Sequence, residues 1–132
     1  MALNKQYKKD NERYLIDISK EDGVMRLDCG VLYKIIEDAG GPKPRVSSQV
    51  IVEYEGQLID GTVFDSTYSR RKPSQFRVAD LIKGWREAIK IMPCGSTWEI
   101  YIPHDMGYGT RNYDKIPAYS TLIFKVSLLD IR

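Results

Sequence analysis

The spacing of apolar residues changes at Gly23, and that change limits the chain to a narrow set of folds. Before it, Leu3, Tyr7, Tyr14, Leu15 and Ile18 fall close to one face at helical spacing, which predicts a helix from about Leu3 to Asp22. Five basic side chains (Lys5, Lys8, Lys9, Arg13, Lys20) and five acidic ones (Asp10, Glu12, Asp17, Glu21, Asp22) give this segment a solvated outer face, and Gly23 is its expected stop. From Val24 onward the period is two. Strands are expected at Val31 to Ile36, at Val50, Val52 and Tyr54, at Thr97 to Ile102, and through Leu122, Phe124, Val126 and Leu128. Asp60-Gly61 between apolar runs predicts a hairpin with a two-residue turn, and Ser66 to Pro73 reads as a polar loop.

One short stretch breaks the alternation. Ile82, Trp85, Ile89 and Met92 mark a single helical face about ten residues long, ended by Pro93-Cys94-Gly95. A helix this short is held by packing, and the one-sided sheet is the available cover. The expected fold is therefore α+β: an antiparallel twisted sheet wrapped around one short amphipathic helix, with an N-terminal helix appended. Residues 1–23 form the helical extension and 24–132 the main domain. Two readings stand for the extension: a helix packed on its own domain, or an arm that dimerises with a second chain.

Composition narrows the chemistry. The 132 residues suit one domain, and a formal charge of +2 gives no broad basic surface for nucleic acid. Arg70-Arg71-Lys72 with Arg77 is one short basic stretch, read as a solvated loop. The N-terminus has no apolar core of a signal peptide, and no apolar run reaches membrane-spanning length, so the chain reads as cytoplasmic; a trimmed exported form would read the same way. Cys29 and Cys94 form no CxxC pair; two reduced core thiols is the plainer reading, beside one distant disulfide. With a single histidine, multi-histidine metal sites are excluded. No P-loop, GxGxxG, HExxH or GxSxG motif is present, and neither a cofactor nor a metal is expected. Asp65 and Asp105 are loop carboxylates without a readable acid/base pairing, and His104 reads as a solvent-exposed loop residue.

Aromatics near strand ends and loops are the remaining signal: Tyr54, Phe64, Phe76, Trp85, Tyr108, Tyr113 and Phe124. Taken singly each reads as core. Trp85, however, follows Gly84 where a backbone can approach another group closely, and Tyr108 sits between Gly107 and Gly109, a poor place for a core residue. Together they can line an apolar cleft with polar handles.

These residues also carry a family resemblance. Val52-Glu53-Tyr54-Glu55-Gly56, Asp60-Gly61-Thr62-Val63-Phe64-Asp65-Ser66, Ile82-Lys83-Gly84-Trp85-Arg86-Glu87-Ala88, Tyr108-Gly109, Ile116-Pro117 and Thr121-Leu122-Ile123-Phe124 resemble, in order and spacing, the FKBP-type peptidyl-prolyl cis/trans isomerases (immunophilins) from about Ser47 to Arg132. The stretch before them is similar to bacterial members with an N-terminal helical extension. The resemblance implies an isomerase that rotates X–Pro bonds and assists folding, without metal or covalent intermediate. It implies a proline pocket with Trp85 as floor and Tyr54, Phe64, Leu81, Ile82, Tyr108 and Phe124 as walls. The Ile82 N–H and the Tyr108 hydroxyl would bond the peptide carbonyls, Asp65 would be held near Tyr54 and paired with Arg70, and Ile116 would contribute from the flap. Implied partners are proline-containing polypeptides and macrolide ligands of the immunophilin type, with no nucleic acid and no membrane. Three departures stand out. Ser74 replaces an aromatic and thins one wall; the flap reads Thr110-Arg111-Asn112-Tyr113-Asp114-Lys115; Ala118 follows Pro117 where some relatives carry a second proline. The alternative is a peptide-binding or chaperone module of the same fold with little catalysis.

Overall fold

A computed structural model describes residues 2–132, with side chains from Lys5 onward; Leu3, expected on the inward helical face, lies outside the described side chains. Among the described residues seven strands form one antiparallel sheet: β1 (Val24–Arg26), β2 (Leu32–Glu37), β3 (Gln49–Gln57), β4 (Val63–Ser66), β5 (Ser74–Arg77), β6 (Thr97–Ile102) and β7 (Leu122–Ile131). Their spatial order is β1-β2-β6-β7-β3-β4, with β5 also on β3. The helices are α1 (Ala2–Ser19), α2 (Thr67–Arg70) and α3 (Lys83–Ile89).

Alternation decides which face is oily. Val52 pairs with Leu128, Tyr54 and Trp98 both pair with Val126, Gly56 and Ile100 with Phe124, and Ile102 with Leu122, so these side chains share the inner face. Against them lie Trp85, Ala88, Ile89 and Met92, all buried, and this is the main core. The helix is shorter than the apolar spacing suggests. After Ile89 the chain tightens into turns in which Ile91 N–H donates to Ala88 C=O and Met92 N–H to Ile89 C=O, both at 3.2 Å. Gly84 explains how closely α3 lies on the sheet: a Cβ there would sit 2.5 Å from Ile102 Cγ2.

The outer face is divided. At one end Lys34, Glu99, Lys125 and Glu55 stand opposite one another across four neighbouring strands, a ladder of alternating charge suited to water. At the other end Leu32, Tyr101 and Ile123 are paired in register, and α1 covers them with Tyr14, Leu15 and Ile18. Tyr101 is therefore buried although alternation places it on the outward side. The inward face of α1 packs on its own domain.

Several boundaries differ from those the sequence suggests. α1 stops at Ser19, where Lys20 and Glu21 N–H groups bond three residues back; Gly23, at φ 82°, turns the chain into β1 and does not cap the helix. β2 runs one residue later than expected. The turn at Asp60-Gly61 belongs to a three-residue hairpin loop: Gly61 N–H donates to Leu58 C=O at 3.0 Å and Leu58 N–H to Thr62 C=O at 2.9 Å. The stretch from Ser66 to Pro73 contains α2, capped by Ser66 Oγ on the Ser69 N–H. Ser74–Arg77 returns to the same edge of β3 as a strand no apolar run announced, because Phe76 is its one apolar residue and shares the half-buried face with Ser74. Cys29 and Cys94 are unpaired and half-buried. No helix among the described residues is long and apolar enough to cross a membrane.

Candidate functional site

β3 is the element on which the site is built. Along one edge it pairs with β4 at Glu55–Gln57 and with β5 at Gln49–Val52. Between the two pairings the chain bulges out through α2, and Tyr54 loses its strand partner there. The buried hydroxyl of Thr67 takes that place, accepting from Tyr54 N–H at 3.0 Å and reaching Tyr54 C=O at 3.3 Å. The bulge brings Asp65 and Arg70 beside the Tyr54 hydroxyl.

At the open end of the core lies a concavity of about 210 Å³ lined by Tyr54, Phe64, Asp65, Phe76, Asp80, Leu81, Ile82, Trp85, Tyr108 and Phe124. That is below the roughly 300–1,000 Å³ of drug-sized sites, so it suits one compact apolar ring. Trp85, 3% exposed, meets Tyr54 and Phe124 edge-on at 5.2 and 5.1 Å between ring centres, and Phe64 meets Phe124 edge-on at 5.5 Å. The floor therefore resists deformation. Gly56 makes the packing possible: a Cβ there would lie 2.6 Å from Phe64 and 2.7 Å from Phe124.

The polar rim is ordered. The Tyr54 hydroxyl donates to Asp65, Arg70 pairs with the same carboxylate, and Arg70 Nη2 also reaches Ser74 Oγ at 3.1 Å. Burial, and then the bond to Asp65, push the Tyr54 hydroxyl up to about 12. For Asp65, burial pushes upward, but the bonds from Tyr54 and Arg70 outweigh it and hold the carboxyl below its ordinary value. Burial also raises Tyr108, with the nearby Tyr113 and Asp65 adding to it, so its hydroxyl stays a donor. Among the described residues neither the Ile82 N–H nor the Tyr108 hydroxyl has an intramolecular partner. No cluster of metal-ligating side chains occurs among them.

All six aromatic and acidic residues expected at the centre, Tyr54, Phe64, Asp65, Trp85, Tyr108 and Phe124, come together here, as do Leu81 and Ile82. Ile116 and Arg70, also expected at the site, lie outside the lining. Ile116 is buried beside the core, bridged to Tyr113, and does not line the concavity, because the tight turn at Asp114 folds the flap back on itself. Arg70 is paired with Asp65, as the resemblance implied, and is not among the residues that line the concavity. Ser74 does not leave that side bare: Phe76, two residues along the same strand face, supplies an aromatic wall, and the Ser74 hydroxyl holds Arg70. Its alternation with exposed Gln75 and Arg77 was the available clue to Phe76. Tyr113 stacks on Tyr108 at 4.3 Å and 6°. His104 lies outside the site, half-buried and edge-on to Tyr119, not free in solvent.

The sequence profile described as FKBP-type peptidyl-prolyl cis-trans isomerase matches residues 40–129, and the chain belongs to that family. It is 44% identical over 126 residues to the outer membrane protein MIP of Legionella longbeachae, covering 95% of this chain and 54% of that protein. It is 43% identical over 120 residues to the FKBP-type 22 kDa peptidyl-prolyl cis-trans isomerase of Escherichia coli K12, covering 90% of this chain and 58% of that one. The chain thus spans about half the length of these relatives. Among solved structures, FkpA from Escherichia coli superposes with a TM-score of 0.92 at 37% identity, over 99% of this chain and 63% of that one. A peptidyl-prolyl cis-trans isomerase from Pseudomonas syringae superposes at 0.90 and 31%, over 96% of this chain and 94% of that one.

Proposed function

We propose that the chain catalyses cis/trans rotation about X–Pro bonds in polypeptides by holding the proline ring on Trp85. The observation that carries this reading is the ring-sized, aromatic-floored concavity flanked by two donors that have no partner among the described residues. Rotation is slow because amide resonance is lost midway, a barrier of about 18–20 kcal/mol. Resonance places negative charge on oxygen and positive character on nitrogen. A dry aromatic site disfavours that charge-separated planar form relative to the twisted one. Walls that fit the twisted bond better than the planar one lower the barrier by differential binding. The Ile82 N–H and Tyr108 hydroxyl are placed to hold the peptide by its carbonyls, so that rotation happens against a fixed frame. No nucleophile or proton transfer is needed, and removing ~4 kcal/mol gives about a thousandfold acceleration.

Phe64→Ala and Tyr108→Ala each remove a wall. With about 1.5–3 kcal/mol at stake per buried apolar side chain, kcat/KM on a proline tetrapeptide falls roughly ten- to a hundredfold. Full activity in both variants, with an unchanged circular dichroism spectrum, would sink the site assignment. A macrolide of the immunophilin type would have to seat a ring in the same concavity, so it must inhibit competitively and lose affinity in the same variants. A dimer through α1 would have to use its outward side, where Ile16 is exposed, since the inward side is occupied by the sheet; sedimentation of the wild-type chain and of Ile16→Glu distinguishes the two states.

A further inference from the structure

The two parts of α1 hold different things. Its last turns, through Tyr14, Leu15 and Ile18, pack on the sheet by apolar contact. Its middle turns make buried polar bonds, and these go to the loop that carries Tyr108. Thr121 N–H donates to Asn11 Oδ1 at 2.7 Å, while Asn11 Nδ2 donates to Tyr7 C=O at 2.7 Å. Asn11 is 2% exposed and Thr121 1%, so each polar group depends on the other. Ser120 Oγ gives its proton to Pro117 C=O at 2.7 Å, which leaves Tyr7 as the donor in the 2.7 Å Tyr7–Ser120 bond. Lys8 Nζ lies 5.1 Å from the centre of the Tyr119 ring.

From there the connection reaches the concavity in two steps. Tyr119 sits at φ 66°, a conformation costly for any residue with a side chain and held only where the surroundings enforce it. In that conformation its N–H donates to Gly109 C=O at 3.0 Å, and its ring rests on His104. Gly109 N–H donates to His104 C=O at 2.8 Å, closing the loop around Tyr108. The outgoing arm of the loop bears a pocket wall, and the return arm is bolted to a helix on the opposite face of the sheet.

We propose that α1 sets the position of Tyr108 by clamping the return arm of its loop, which makes Tyr7 and Asn11 positioning residues for the site. The proposal rests on the isomerase reading above. Its test uses the full chain with Tyr7→Phe, which removes one oxygen, and Asn11→Leu, which removes the acceptor for Thr121. Hydrogen exchange at Gly109, Tyr119 and Thr121 should quicken by about fivefold or more, while Val52, Ile100 and Val126 keep their protection. In Tyr7→Phe, kcat/KM on a proline tetrapeptide should fall about three- to tenfold, carried by kcat. In a Tyr108→Ala background the same substitution should cost less than about twofold, because the side chain it positions is gone. Unchanged exchange in the loop overturns the clamp, as does an equal loss of activity with and without Tyr108. If the wild-type chain accelerates nothing, the isomerase reading falls, and loop exchange alone decides the clamp: quickened exchange sustains it and unchanged exchange overturns it.

Discussion

Tyr54, Asp65 and Arg70 form a small device whose worth lies in orientation. The Asp65 and Arg70 side chains are 38% and 47% exposed, so water screens the pair and it adds little bulk stability. What it does is fix the Tyr54 ring against Trp85. The Asp65 carboxyl sits below its ordinary value of 3.8, so its contribution is complete above that pH and fades as pH falls through the lower folded value. Asp65→Asn should therefore be less stable than wild type at neutral pH and lose less on acidification below about pH 4. Denaturant melts across that range check it; parallel acid limbs would show that the pairing contributes nothing. At this scale the sequence was legible where a residue sat in an odd place. Trp85 after Gly84 and Tyr108 between two glycines both pointed to the concavity. Phe76 stood among the singled-out aromatics, although it lies in a strand of mostly polar residues; Asn11, a polar side chain on the apolar face of a helix, gave no such sign.

β3 carries one face of the core and one wall of the site, and the two demands meet at Gly56. Its missing side chain is filled by Phe64 and Phe124, so Gly56→Ala must push one ring toward the concavity. The expected cost is about 1–3 kcal/mol of stability, with kcat/KM falling further than that of a distant variant of equal stability. A wild-type kcat/KM in Gly56→Ala would mean that the rings have room to spare. The strands were readable because burial on one face enforces a period of two. The turn at Asp60-Gly61 was harder, since the dipeptide is compatible with loops of two or three residues and only the pairing of Leu58 with Thr62 decides between them. β5 escaped notice because strand pairing to β3, not apolar content, holds it in place.

Across the whole molecule, one sheet is covered on both faces. α3 fills the inside and supplies the floor of the site, while α1 covers one end of the outside and reaches the loop over that floor. The sequence showed that both helices exist, because each has an apolar face. It could not show which surface α1 covers, because Leu32, Tyr101 and Ile123 are spread over three strands and form a patch only after the sheet has assembled. The most direct measurement is exchange between the cis and trans forms of a proline tetrapeptide, followed by NMR, with the chain at catalytic concentration and with Tyr108→Ala beside it. Acceleration by the wild type that the variant largely loses is the expected result. A folded wild-type chain that leaves the exchange rate unchanged would contradict the proposed activity and make the concavity a peptide-binding site without catalysis.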